Sequence, residues 1–182
     1  MEKYIIIGIL ILLILYSFLT YNKLVNLNNK VKEAFATMDV YLKKRWDLIP
    51  NLINTVKGYA KHEKDTLEEV VTLRNTPYDT LSDDEKITTN NQMTNQITKM
   101  MALAENYPEL KANENFIDLS TQLTKVEDEI ANARKYFNGT VREFNNKVEM
   151  FPSNIIAKLL GYHPKNMFQI KEDEKQNVKV KW

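Results

Sequence analysis

The chain has 182 residues, with 25 Lys and Arg against 24 Asp and Glu, a formal net charge of +1. That balance excludes the basic surface of a duplex-binding protein, and the length suits one domain plus an anchor. Cysteine is absent, which removes disulfides, thiolate clusters and a lipid-modified N-terminal cysteine, while only 4 Gly and 5 Pro leave room for long helices.

Residues 4–21 carry no charge and are dominated by Ile and Leu. As a helix they span about 27 Å, close to the ~30 Å hydrocarbon core of a bilayer. Tyr4, Tyr16 and Tyr21 lie near the ends, where amphipathic rings are favoured. No small-x-small cleavage site follows, and the apolar run is longer than that of a signal peptide. Residues 1–21 are therefore expected to be a retained single-pass anchor. Glu2 offsets Lys3, whereas Lys23, Lys30 and Lys32 follow the span, so the positive-inside rule predicts a cytoplasmic soluble domain.

After the span, Leu24, Leu27, Val31, Phe35, Met38 and Leu42 recur at three and four, the a/d pattern of a helix seam. No Gly or Pro interrupts them, so the helix is expected to leave the membrane unbroken. Pro50 is the first punctuation. Its ring suits a first helical turn, which predicts a tight corner at 47–50 and a second helix over 50–74. That helix would turn Leu52, Ile53, Val56, Tyr59, Ala60, Leu67 and Val70 inward. A kink within one longer helix is the competing reading.

Thr76-Pro77 breaks the next stretch, and Ser82-Asp83-Asp84-Glu85 matches a capping box with acids in the first turn. The third helix follows, with Ile87, Asn90, Met93, Ile97, Met100 and Ala104 in step. Its polar middle, 88–91, predicts the least buried helix. Tyr107-Pro108 marks another corner. The fourth helix carries the longest stripe, from Phe116, Leu119, Leu123, Val126 and Ile130 through Ala133, Phe137, Val141, Phe144, Val148 and Phe151. Burying such side chains yields roughly 1.5–3 kcal/mol each, largely offset by ordering entropy. Only partner helices can cover the stripe.

Pro152 ends that helix. Ser153 is predicted to cap a short amphipathic helix over 155–160, with Gly161 closing it. Residues 171–182 are charged and expected to be loose, although Val178-Lys179-Val180 alternates. The expected organisation is an anchor at 1–21, a bundle at 22–170 and a tail at 171–182. The fold class is all-α: a transmembrane helix followed by an antiparallel up-and-down bundle of long, coiled-coil-like helices.

Chemistry-bearing motifs are few. His62-Glu63 resembles the start of a zinc-peptidase motif, but position 66 is Thr66, so the second ligand is missing. His62 is then expected on an exposed helix face. Gly58 stands alone without a phosphate loop, and no Gly-x-Ser-x-Gly elbow occurs. Glu68-Glu69 and Asp83-Asp84 fit solvated faces and caps. No catalytic residue, cofactor, metal or small-molecule ligand is expected. Lys43-Lys44-Arg45 lies about 33 Å past Tyr21 on a continuous helix, several times the ~8 Å Debye length. It reads as a solvated face or a protein contact.

One polar feature stands out. Glu127, Arg134, Asn138 and Asn145 are spaced by seven, four and seven. They fall within about 20° of one line on the helix, roughly 65° from the centre of the apolar stripe. These are flanking positions where polar groups bridge helices. Asn28, Asp39, Arg45 and Asn51 are candidate partners. The structural reading is helix register; the functional one is a shallow polar docking groove.

Together these residues resemble the LemA family. The resemblance rests on Asp39-Val40, Arg45, Asp47-Leu48-Ile49-Pro50-Asn51-Leu52 and Val56-Lys57-Gly58-Tyr59-Ala60. It continues through Tyr107-Pro108, Leu110-Lys111-Ala112-Asn113, Glu127, Ala133-Arg134, Tyr136, Asn138, Asn145, Phe151-Pro152 and Gly161. Tyr41, Lys44 and Phe137 depart from the residues most frequent there. The resemblance implies a bacterial membrane protein with an antiparallel helical bundle and no agreed enzyme activity. It also implies relatives in magnetosomes and gene neighbours that are membrane metallopeptidases.

The expected function is a non-enzymatic membrane-anchored scaffold or adaptor, acting through a protein partner or self-association and not on nucleic acid. The family context supplies an alternative, a regulatory partner of a membrane metallopeptidase or envelope-stress system. An enzyme using Arg134, Glu127 and Asp39 in a polar cleft is the remote third reading.

Overall fold

The computed structural model describes residues 1–60, 64–73 and 75–168. The readings on His62-Glu63 and on the tail at 171–182 lie outside the described residues. Among the described residues there are helices and no strands: α1 (Glu2–Tyr59), α2 (Lys64–Leu73), a 3-10 turn (Tyr78–Thr80), α3 (Asp83–Ala104), α4 (Pro108–Lys111), α5 (Glu114–Glu149) and α6 (Ser153–Leu159). The all-α class stands.

The corner expected at 47–50 does not form, because Pro50 lies inside α1. Proline has no N–H to donate to the carbonyl four residues earlier, and an interior position costs ~3 kcal/mol or more. Trp46, Ile49, Leu52 and Ile53 are all buried around it. At roughly 1.5–3 kcal/mol each, their burial outweighs the proline. The longer helix is therefore the reading that holds.

The chain divides into two compact units, Thr37–Ala133 and a second made of Met1–Ala36 with the chain from Arg134 onward. Both α1 and α5 contribute to each. In the second unit, every residue from 1 to 15 is exposed, and burial begins at Thr20. From there Leu24, Leu27, Val31 and Ala34 are buried, as are Phe137, Val141, Phe144 and Val148 of α5. The helices run antiparallel, and Phe35 meets Phe137 edge-on at 5.8 Å.

In the Thr37–Ala133 unit, α1 and α5 again run antiparallel. Arg45 of α1 meets Glu127, and Tyr59 meets Asn113 just before α5. Helix α2 packs on α3. Asn90, Met93, Ile97, Met100 and Ala104 of α3 are buried, as the spacing predicts, including the polar Asn90. The capping box forms: Ser82 Oγ accepts from the Glu85 N–H, and Glu85 accepts from the Ser82 N–H at 2.8 Å. Asn113 caps α5, accepting the Phe116 N–H at 3.1 Å.

Two expectations at the end of α5 are corrected. The stripe is buried through Val148, but α5 stops at Glu149. Phe151 falls past the helix end and is 79% exposed. Ser153 does not cap α6; it is the first helical residue, and its hydroxyl donates back to the Met150 carbonyl at 2.9 Å. Gly161 does close α6, with φ of 72°. The Tyr162 N–H reaches the Ala157 carbonyl at 2.9 Å and the Gly161 N–H reaches that of Lys158 at 3.2 Å, the paired bonds of a Schellman cap.

Candidate functional site

Among the described residues Arg45 is the largest fully buried side chain, with 0% exposure. It does not join Lys43 and Lys44 on a solvated face, as its place in the basic run suggested. One helical turn cannot hold three adjacent residues on one side. Lys43 instead pairs with Asp47 at 2.8 Å along the surface, while Arg45 points into the Thr37–Ala133 unit.

A buried guanidinium needs all its N–H groups satisfied and its charge matched. Both conditions are met. Nη1 donates to Glu127 Oε1 at 2.6 Å and to Thr94 Oγ1 at 2.7 Å. Nη2 donates to the Asn90 carbonyl at 2.7 Å and to Asn90 Oδ1 at 2.8 Å. Nε also donates to Asn90 Oδ1, at 3.2 Å. The Asn90 amide is fixed in turn by donating to the Lys86 carbonyl at 2.9 Å. All five guanidinium donors are thus used, on partners from α3 and α5.

A second pair lies in the same unit. Asp39 accepts the Tyr78 hydroxyl at 2.6 Å and the Lys86 ammonium at 2.9 Å. The Tyr78 ring packs against Trp46, centroids 5.3 Å apart, and Lys86 Nζ lies 5.0 Å from that ring. Burial pushes the Tyr78 phenol far above its ordinary range, and the Asp39 carboxylate pushes it the same way. The phenol therefore keeps its proton and serves Asp39 as a fixed donor.

The remaining polar residues on the α5 line have different partners, in the unit that contains the apolar start of α1. Asn145 donates to the Lys165 carbonyl and accepts its N–H, both at 2.8 Å. Asn138 does the same with Phe168, at 2.9 and 2.7 Å. Seven helical residues cover about 10.5 Å and three extended residues about 10 Å, so the two amides match the rise of the segment they hold. Arg134 covers the buried Phe168 ring at 4.1 Å.

Of the expected partners, Asn28 is half-buried on α1 in that same unit. Asn51 is exposed in the other, lining a cleft of about 420 Å³ with Asn54, Thr55, Asn115, Asp118 and Gln122. Sequence reasoning proposed Glu127 and Arg45 but missed Thr94, Tyr78 and Lys86. Asn90 carried an available signal, since a polar residue in step with an apolar stripe must find a partner. Among the described residues no three His, Cys, Asp or Glu side chains are placed to share a metal ion. What this geometry accomplishes is fixed pairing: Arg45, Lys86, Asn138 and Asn145 each hold a second segment of the chain.

The chain is 27% identical to Protein LemA of Metamycoplasma hominis over 162 residues, covering 86% of this chain and 72% of that protein. It is 29% identical over 77 residues to Magnetosome protein MamQ 2 of Paramagnetospirillum magneticum. It is 28% identical over 68 residues to Magnetosome protein MamQ of Magnetospirillum gryphiswaldense. The magnetosome matches cover 42% and 37% of this chain and only 28% and 25% of those proteins. The family model described as LemA family matches residues 34–182. With that model matching most of its length, this chain belongs to the LemA family.

Proposed function

We propose that this protein is a non-enzymatic scaffold or adaptor held at the bacterial cell membrane by α1, acting through contacts with a protein partner or with further copies of itself. The observation that carries the reading is the continuity of α1. The helix is exposed and apolar over residues 4–15, and the same helix supplies buried side chains from Thr20 onward. A lipid-facing rod that becomes part of a folded core suits a protein whose task is to present a surface at the bilayer. The polar groups support the reading too: Arg45, Asp39, Asn138 and Asn145 are engaged in holding other parts of the chain.

Extraction in mild detergent followed by cross-linking tests it. The expected result is a discrete membrane partner or a self-assembly; monomers alone, with no partner, would overturn it. In this reading the soluble domain faces the cytoplasm, following Lys23, Lys30 and Lys32. A C-terminal tag should then be protease-resistant in intact cells and cleaved in inverted vesicles.

A further inference from the structure

A second apolar surface lies near the end of the span. Beyond α5, Met150, Phe151, Ile155, Leu159 and Leu160 are all exposed, Leu159 at 83%. Ile155 and Leu159 share one face of α6, being four residues apart, while Ser153 and Ala157 are buried. Large apolar side chains left exposed together in one short stretch mark an interaction surface.

Its position identifies the occupant. Phe151 and Pro152 line one cleft, of about 480 Å³, with Tyr16 and Lys23 of α1. Tyr16 lies five residues before Tyr21, about 7.5 Å inside the end of the apolar span. An amphipathic element lying in the bilayer interface buries its apolar face about 5–10 Å deep. The two depths coincide. Lys23 and Lys147 also line the cleft, alongside Glu143. Lysines at such an edge keep their stems on apolar surface and their ammonium groups among lipid phosphates.

We propose that the turn after α5, together with α6, sits in the lipid headgroup region of the same bilayer that α1 crosses. The protein then touches the membrane at two places, one spanning and one lying in the interface. This inference rests on the reading of residues 4–21 as a membrane span.

Because the chain contains no cysteine, single nitroxide labels can be placed on the full-length protein. Phe151→Cys and Leu159→Cys variants are labelled after reconstitution into phosphatidylcholine–phosphatidylglycerol vesicles. Leu10→Cys in the span and Asp128→Cys on exposed α5 are the references. The ratio of collisions with oxygen to collisions with a water-soluble nickel chelate should be several-fold higher at 151 and 159 than at 128, and below that at 10. Values at 151 and 159 equal to that at 128, with position 10 still in lipid, would overturn the interfacial contact and leave the anchor standing. Position 10 in water would overturn both. Exclusion of both probes at 159, with spin–spin broadening between copies, would show a second copy covering the patch and overturn the lipid assignment.

Discussion

The two halves of α5 carry polar residues along one line of the helix and use them in different ways. Glu127, in the N-terminal half, accepts from a buried guanidinium. Asn138 and Asn145, in the C-terminal half, pair with extended backbone, each through one donated and one accepted bond. The difference follows from what is being held. A buried cation requires a counter-charge and a full set of acceptors, whereas an extended segment requires groups that reproduce the pairing of a neighbouring strand. A carboxamide does this because it carries both a donor and an acceptor. Sharing one line of a helix therefore says little about the class of partner.

The contrast breaks most sharply at Arg45. Arg45→Met leaves Glu127, Asn90 and Thr94 facing an apolar side chain. It should cost about 3–5 kcal/mol, read as a lowered urea midpoint of the detergent-solubilised protein. A neutral outcome would mean that packing alone sets the register there.

Tyr78 tests the neighbouring pair. Tyr78→Phe removes a hydrogen bond to a carboxylate and should cost about 1.5–3 kcal/mol. Its ionisation also sets a pH limit. The folded state holds the phenol above its ordinary value of 10.0, chiefly through burial and secondly through Asp39, so folding favours the protonated form. The contribution is complete below pH 10.0 and is lost as pH rises above it, because only the unfolded chain then releases the proton. Alkaline unfolding followed by circular dichroism should begin in that range, and Tyr78→Phe should remove this component of the slope.

At the other half of α5, Asn138→Ala or Asn145→Ala removes two neutral bonds and should cost about 1–3 kcal/mol. The loss should be local. Amide exchange at Lys165 and Phe168 should accelerate while that in α3 is unchanged. A uniform acceleration would erase the distinction between the two halves. The smallest effect is expected at the α3 cap, where Ser82→Ala should cost ~1 kcal/mol. Ser82 also holds the Glu85 carboxyl below its ordinary value. That contribution is present above pH 4.5 and lost as pH falls further, so Ser82→Ala should also blunt the loss of helicity on acidification.

Much of the fold is legible in the spacing of apolar residues. The α5 stripe from Phe116 to Val148 is buried as its periodicity requires, and the Ser82 box reads directly as a helix start. Pro50 misleads because local propensity loses to the burial of its neighbours. Phe151 misleads because periodicity does not know where Glu149 ends the helix. The site is only half legible. Glu127 and Arg45 are visible as polar residues beside apolar stripes, yet their contact spans 82 positions of sequence, and Asn90 reaches Arg45 across 45. The backbone segment held by Asn138 and Asn145 has no apolar rhythm to announce it.

The unbroken course of α1 also sets how this gene can drift. Side chains at residues 5–15 face outward on every side, so losing one codon there turns the preceding part by about 100° and displaces no interior contact. The same deletion between Thr20 and Leu27 would swing two turns of interior contacts out of phase with Phe144 and Val148. Length variation among natural homologues should accordingly gather ahead of Thr20 and stop there.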